Sequence, residues 1–305
     1  MSRKLVLHVG YPKAASTTMQ NNVFLPLHQS QQINFLGRAY ESQYAGVAGK
    51  SEFKDWTEQI IAGGFPGKGA YHMALPEIVD NKVNVLSENR FLIHYALNGD
   101  RKILANLKSY FQDHTDSIDV VLILRAQPAV IFSWYLQRYR RITQKTFGKF
   151  IRYQHAGNWH DGTAIFNYFT TMQLMKKIFG ASKVHVVLFE DLVNAPEGFS
   201  RQWARLMAVS EGEVVPLLAK PSKNVTPRVV ENGEVEKFVP KKQPKPSIYE
   251  RFLINAGVIS KRVVSLEPMT PDQENQIRGD FRDSNIRLAE QFGLDQEKLE
   301  KYGYI

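Results

Sequence analysis

The sequence contains no cysteine. Disulfide staples and thiolate metal sites are therefore excluded, and a reducing compartment suits the chain. Long apolar runs are also missing. The first run, Leu5 to Val9, is interrupted by His8 and is far too short for the core of a signal peptide. Nothing later approaches the ~20 apolar residues that a membrane span needs. These absences predict a cytoplasmic protein without a transmembrane segment. Metal-ligand spacing is lacking too: His155 and His160 stand five apart with no supporting carboxylate pattern. Negative charge is in the minority, with 30 Asp and Glu against 39 Lys and Arg, a net charge of +9. Such a balance suits an anionic partner, whether nucleic acid, membrane, polyanionic sugar or nucleotide, or else a surplus of solubilising charge.

What is present is ordinary globular composition over 305 residues, 43% hydrophobic and 23% charged. That length suffices for one large α/β domain with a substantial core. Short runs rich in β-branched residues predict strands at Lys4–Val9, Val83–Leu86, Val120–Leu124 and Val184–Phe189. The VVLIL run is continuous, as in a strand buried on both faces. Helical patterns fall between them, at about Thr17–Leu27, Asp100–Gln112, Pro128–Arg141 and Ile165–Phe179. Strands alternating with helices predict βαβ units and a three-layer αβα fold around a parallel sheet. The chain is read as one domain, 1–305, whose part from about 220 is less regular and mainly helical. Lys220–Arg228 reads as a loop. Phe238–Ser247, rich in Pro and Lys, reads as exposed and mobile. A helix is predicted over Pro271–Phe292 with Thr270 as its N-cap, forming a C-terminal appendage.

Two motifs carry chemistry. In the first, LVLHVGYPKAASTTMQ, a strand runs out at Val9, Gly10–Pro12 turn the chain, and Lys13 precedes the small residues Ala14, Ala15 and Ser16. Thr17 and Thr18 then open a helix. Outward-pointing N–H groups and the macrodipole at a helix start favour an anion. Small side chains let a phosphate approach the backbone, hydroxyls can donate to it, and Lys13 adds a full charge. Capping hydroxyls alone would make an ordinary strand–turn–helix; the lysine inside the turn points further. This is not a Walker A loop, because no glycine precedes Lys13. In the second motif, DVVLILRAQPAVIFS, Arg125 ends the buried strand where a Walker B strand would end in Asp to hold magnesium. A guanidinium fork suits a phosphate directly. Ser133 follows eight residues later on a Pro128-initiated helix, at the carboxyl edge of the sheet where open α/β sheets bind ligands. The same helix interleaves Trp134, Tyr135 and Tyr139 with Arg138, Arg140 and Arg141. That pattern suits either a grip on an anionic acceptor or an amphipathic helix that buries its rings and solvates its arginines.

The first motif resembles the 5′-phosphosulfate-binding loop of sulfotransferases that use 3′-phosphoadenosine 5′-phosphosulfate (PAPS), particularly bacterial and carbohydrate-type members. Their loop reads approximately Pro-Lys-x-Gly-Thr-Thr-x-Leu-Gln. Pro12, Lys13, Ser16, Thr17, Met19 and Gln20 stand at matching or similar places. Ala15 replaces the usual glycine, a change that costs little only where φ is not positive. The spacing of Arg125 and Ser133 also resembles the family's pair that grips the 3′-phosphate. The resemblance implies a P-loop NTPase-like sulfotransferase fold, PAPS as donor, 3′-phosphoadenosine 5′-phosphate (PAP) as product, and no metal. Its implied acceptor is a hydroxyl on a glycan or glycolipid, not a nucleic acid. It places Lys13, Ala14, Ala15, Ser16, Thr17 and Thr18 on the phosphosulfate, and Arg125, Ser133 and a basic loop at Lys223 on the 3′-phosphate. Lys13, by location, would neutralise the leaving group. A Glu after a strand often serves as base in carbohydrate sulfotransferases, which selects Glu88 in VNVLSENR; His94, His155 and His160 are alternatives because some members use His. Two rival readings stay open at this point: a nucleotide or sugar kinase, and a non-catalytic module that binds a polyanion.

Overall fold

The computed structural model describes residues 3–37, 77–93, 102–157, 161–219, 228–231, 235–240, 248–255 and 264–305. Five parallel strands form the central sheet: β1 (Lys4–Gly10), β2 (Ile33–Phe35), β3 (Val83–Ser87), β4 (Ser117–Leu124) and β5 (Val184–Leu188). Their spatial order is β2-β3-β1-β4-β5, flanked by helices in a three-layer α/β arrangement. The chain visits β2 and β3 on one side of β1, then crosses to β4 on the other. β1 is thus the central strand, with the reversal of winding beside it. Ligands bind outside the carboxyl ends of strands at such a point. Leu5–Leu7 and Val120–Leu124 are fully buried, which explains why these two strands read as unbroken apolar runs. β2 has only three residues, INF, at the sheet edge, too short to carry a pattern.

The helices follow the periodicities with informative shifts. After β1 come α1 (Ser16–Thr18), a π-helical stretch Met19–Phe24, and α2 (Leu25–Gln29). α3 (Lys102–Gln112) precedes β4, and α4 (Gln127–Arg138) follows it with Pro128 in its first turn. α5 is Phe147–Ala156. The pattern at Ile165–Phe179 divides into a 3₁₀ turn, Asp161–Phe166, and α6, Tyr168–Phe179, because the Asn167 side chain caps the Thr170 N–H and starts a new helix. Phe189, read from sequence as the end of a strand, opens α7 (Phe189–Asn194). α8 (Pro196–Met207) and α9 (Glu211–Leu218) complete this part.

The C-terminal region departs more from expectation. Arg228–Glu231 and Val235–Phe238 form an antiparallel hairpin, β6 and β7, within the part read as less regular and mainly helical. Phe238 meets Phe132 of α4 edge to face and pairs through its backbone with Leu266, and Pro240 is buried. The start of the Pro/Lys-rich stretch is therefore packed rather than exposed. Residues 241–247 lie outside the described part. After α10 (Ile248–Asn255) comes α11 (Pro271–Phe292), whose Thr270 and Gln273 make a reciprocal capping box. α11 is no appendage. Its residues Ile277, Phe281, Asn285, Leu288 and Ala289, spaced for one helical face, are buried against the body of the fold. α12 (Gln296–Lys301) then returns the chain so that Tyr304 is fully buried.

Candidate active site

The turn that leaves β1 is built by the sheet. Pairing of β1 with β4 slips between His8 and Gly10, and Tyr11 is then carried onto β4 by its N–H, which donates to Ile123 O at 3.2 Å. The Tyr11 ring is wholly buried edge-on to Tyr168, with centroids 4.7 Å apart. A Cβ at Gly10 would stand 2.9 Å from Leu92 Cδ2, so a side chain there would have to displace the end of Leu92. With the turn pinned, Lys13 and Ala15 both take left-handed conformations, φ 68° and 58°. Alternation with left-handed residues is how successive backbone N–H groups converge on an anion. The positive φ at Ala15 overturns the condition under which an alanine there costs little: the chain keeps a Cβ in a conformation that glycine adopts freely. The Ser16 hydroxyl donates to Tyr11 O at 3.2 Å and helps close the turn. Gln20, on the helix beyond, donates through its amide to Ser87 O (3.0 Å) and Ser87 Oγ (2.9 Å), tying the loop's helix to the end of β3.

Arg125 leaves the end of β4 and reaches the same turn. Its Nη1 donates to Lys13 O at 3.0 Å, and its guanidinium lies 4.5 Å from the centroid of the Phe189 ring. Its own carbonyl accepts the Tyr168 hydroxyl at 2.5 Å. Burial lowers the Arg125 pKa, opposed by the nearby Glu190 carboxylate. An arginine in such a site still stays charged, so it offers a desolvated cation to an anion. Behind it, Glu190 accepts the Ala126 N–H (3.0 Å) and the Tyr304 hydroxyl (2.8 Å). Burial raises the Glu190 pKa, and these hydrogen bonds pull against it. Asp191 next to it takes Lys298 Nζ at 2.7 Å and the Tyr302 hydroxyl at 2.9 Å. The chain terminus is thereby latched under the residue that follows Arg125.

One cavity of about 430 Å³ collects these parts. Lys13, Ala15, Ser16, Thr17 and Thr18 line it from the turn, Arg125 from β4, and Ser133 with Gln137, one helical turn on, from α4. Ala14 is buried beneath the turn. Asn89, Arg90 and Phe189 also line it and were not foreseen. Asn89 and Arg90 follow β3, and Phe189 follows β5; the rule that ligands gather at carboxyl ends of strands points to all three once the strand ends are known. Glu88 is not among the lining side chains. It is 4% exposed; its Oε1 accepts the Arg90 N–H at 2.9 Å and lies 3.3 Å from Arg90 Nε. Lys223, His94 and His160 lie outside the described residues. His155 is exposed and paired with Asp280 at 2.9 Å. His8 is fully buried; its Nδ1 is 2.8 Å from Ser87 Oγ, and burial lowers its pKa to about 4.

A second hollow of about 470 Å³ opens at the other end of the strands, beside Lys4, Asp119 and His185. Its lone carboxylate is already committed. Burial raises the Asp119 pKa, but hydrogen bonds from His185 and Lys4 prevail and hold it at about 2. Among the described residues no phosphate-type turn lines this hollow, and the first cavity is the candidate site. Among the described residues no group of three or more His, Asp or Glu side chains is placed to hold a metal ion.

No protein-family model matches the chain, and no curated protein matches it in sequence. A solved structure does match in three dimensions: the crystal structure of a sulfotransferase from Alicyclobacillus acidocaldarius, with a TM-score of 0.52 and 13% identity, covering 97% of this chain and 98% of that one. Across nearly their whole lengths the two share a three-layer α/β fold of the sulfotransferase type.

Proposed function

We propose that this chain is a cytoplasmic enzyme that transfers a sulfuryl group from PAPS to a hydroxyl of a glycan or glycolipid. The observation that carries the reading is the pairing of two cationic groups in one cavity, the Lys13–Thr18 turn and Arg125, which is bonded to it at Lys13 O, with Ser133 on α4 lining the same cavity. A nucleotide with phosphate at both 5′ and 3′ positions matches that layout. The turn, with Lys13 and the hydroxyls of Thr17 and Thr18, holds the 5′-phosphosulfate. Arg125 and Ser133 hold the 3′-phosphate, with Lys223 assigned to cover it. The Phe189 ring offers an apolar wall to the purine. The similarity of fold to a sulfotransferase supports the same reading.

In the transfer, the acceptor oxygen forms a bond to sulfur while the bond from sulfur to the 5′-phosphate oxygen breaks. Negative charge grows on that oxygen, and the Lys13 ammonium neutralises it. The acceptor proton passes to a base, assigned to Glu88. Glu88 is held by Arg90 just behind the wall formed by Asn89 and Arg90, so it must exchange that pairing for the acceptor hydroxyl. Positioning and electrostatics supply most of the rate, as in phosphoryl transfer.

Thermal shift with PAP, with ATP–magnesium and with a sulfated glycan separates this reading from a kinase and from a polyanion-binding module. PAP alone should raise the melting temperature strongly, as any ligand that binds only the folded state does. Arg125→Ala should erase most of that rise. Unchanged PAP affinity in this variant would remove the 3′-phosphate assignment.

A further inference from the structure

The helix that carries Ser133 and Gln137 into the donor cavity carries a second, separate hollow on its neighbouring face. Trp134, Arg138, Arg141, Thr143, Gln144, Tyr153, Gln154 and Thr163 contribute to a cavity of about 210 Å³. Helical spacing sets Trp134 and Arg138 one turn apart, and the Arg138 guanidinium lies 4.8 Å from the Trp134 ring centroid. The ring itself is buried, so it positions the guanidinium rather than meeting solvent. Arg141 follows just beyond the helix, where its N–H donates to Arg138 O at 2.7 Å. Among the described residues neither guanidinium pairs with a carboxylate.

Two like charges in one hollow repel each other. Burial, and then the Arg141 charge, push the Arg138 pKa down. Arg138 is half-buried, with its guanidinium 4.8 Å from an indole centroid and a second cation beside it. An incoming anion relieves that repulsion, and a guanidinium fork donates to two carboxylate or sulfate oxygens at once. The remaining wall is uncharged: Ile142 and Phe150 are apolar, and Thr143, Gln144 and a buried Gln154, whose Oε1 accepts the Thr163 hydroxyl at 2.6 Å, supply polar groups. Hydroxyls and amides are partners for sugar hydroxyls. The volume equals about seven waters, room for one sugar ring and half that of the donor cavity.

We infer that this hollow is a subsite for an acidic sugar unit of the acceptor, bearing a carboxylate or sulfate and flanking the unit whose hydroxyl reacts. The inference rests on the sulfotransferase reading and narrows it to an anionic glycan. It gives the Arg-rich end of α4 a task distinct from donor binding.

The test uses the full-length protein saturated with PAP and three probes: a glucuronate-bearing disaccharide, a neutral disaccharide carrying one sulfate, and its unsulfated form. Calorimetry reads the affinities, and the indole N–H resonance of Trp134 reports filling of the hollow. Binding of either acidic probe but not the neutral one is expected, and the acidic probe that binds identifies the charged group. Arg138→Gln and Arg141→Gln should each weaken that probe roughly tenfold or more, the loss of a charge-assisted hydrogen bond, with PAP affinity unchanged. Arg138→Lys keeps the charge but not the fork and should recover only part of the loss. If no acidic probe binds while PAP does, or if binding ignores both substitutions, the subsite is wrong and the donor reading stands. If PAP itself does not bind, the donor reading falls.

Discussion

Ala15 sits at φ 58° in the middle of the phosphate-type turn, one of two left-handed non-glycine residues there. A left-handed alanine costs roughly 1 kcal/mol against glycine. Ala15→Gly should therefore stabilise the folded chain by about 1 kcal/mol in urea titration, unless the gain is offset by the looser unfolded chain. A fall in stability would mean that the alanine methyl, packed in the turn, matters more than its backbone. At the same scale, Glu88→Gln should lower turnover by roughly 10²–10⁴ while PAP affinity holds, the loss expected for a general base. Retained turnover would reassign the base to a histidine. Lys13 and Arg125 were legible because lysine and arginine at strand ends have few bland explanations when they come in order, whereas Arg90 was not foreseen. Gln137 and Phe189 were not, because an amide on a helix and a phenylalanine after a valine run look like surface and core. Only the fold brings them to the cavity.

α11 is the element that sequence described well and placed badly. Its limits follow from the Thr270 capping box and from Gly293 in a left-handed C-cap, both local signals. Its place in the body depends on few residues, since most of the helix surface is polar. Asn285 is one of them. Its amide donates to Gln127 Oε1 (3.0 Å) and Tyr304 O (2.7 Å), and its Oδ1 accepts from Gln127 Nε2 (2.9 Å), all out of water. A polar residue in an apolar stripe reads as an interruption of the buried face, whereas here it is the fastener. Removing it takes the donor from Gln127 Oε1 and Tyr304 O, while Gln127 Nε2 keeps Phe166 O, at about 2–3 kcal/mol for the buried acceptors left unsatisfied. Asn285→Leu should therefore cost about 3 kcal/mol in urea unfolding, and Thr270→Ala at the exposed cap only about 1. Equal losses would show that the helix is held by its ends and not by this contact. Gln127 lies two residues after Arg125 at the head of α4, so Asn285→Leu should also weaken PAP binding.

At the scale of the whole molecule, His8 is a buried contributor to acid stability. His8 is neutral in the fold, walled by Phe24 and Trp203 and bonded to Ser87, with a pKa lowered from 6.5 to about 4 by burial. Between those values the unfolded chain binds a proton that the folded chain refuses. Stability is therefore complete above pH 6.5 and falls as pH drops toward 4, by about 3 kcal/mol from this residue. The slope of stability against pH across that window should be reduced in His8→Asn relative to the native chain. Identical slopes would place the acid sensitivity elsewhere. The sheet order also belongs to this scale. Periodicity predicted parallel strands but not that β1 would be flanked by β3 and β4, since that adjacency depends on the crossover around β1. Because β1 and β4 are hydrogen-bonded neighbours, and Arg125 is bonded across to Lys13 O, the two jaws of the proposed donor grip are mounted on adjacent slats of one rigid board. Their gauge is set by the strand spacing of about 4.8 Å and by the register of pairing, not by any loop. Variation in surrounding loops can redraw which hydroxyl is presented, but the span between the jaws changes only if the board itself is rebuilt.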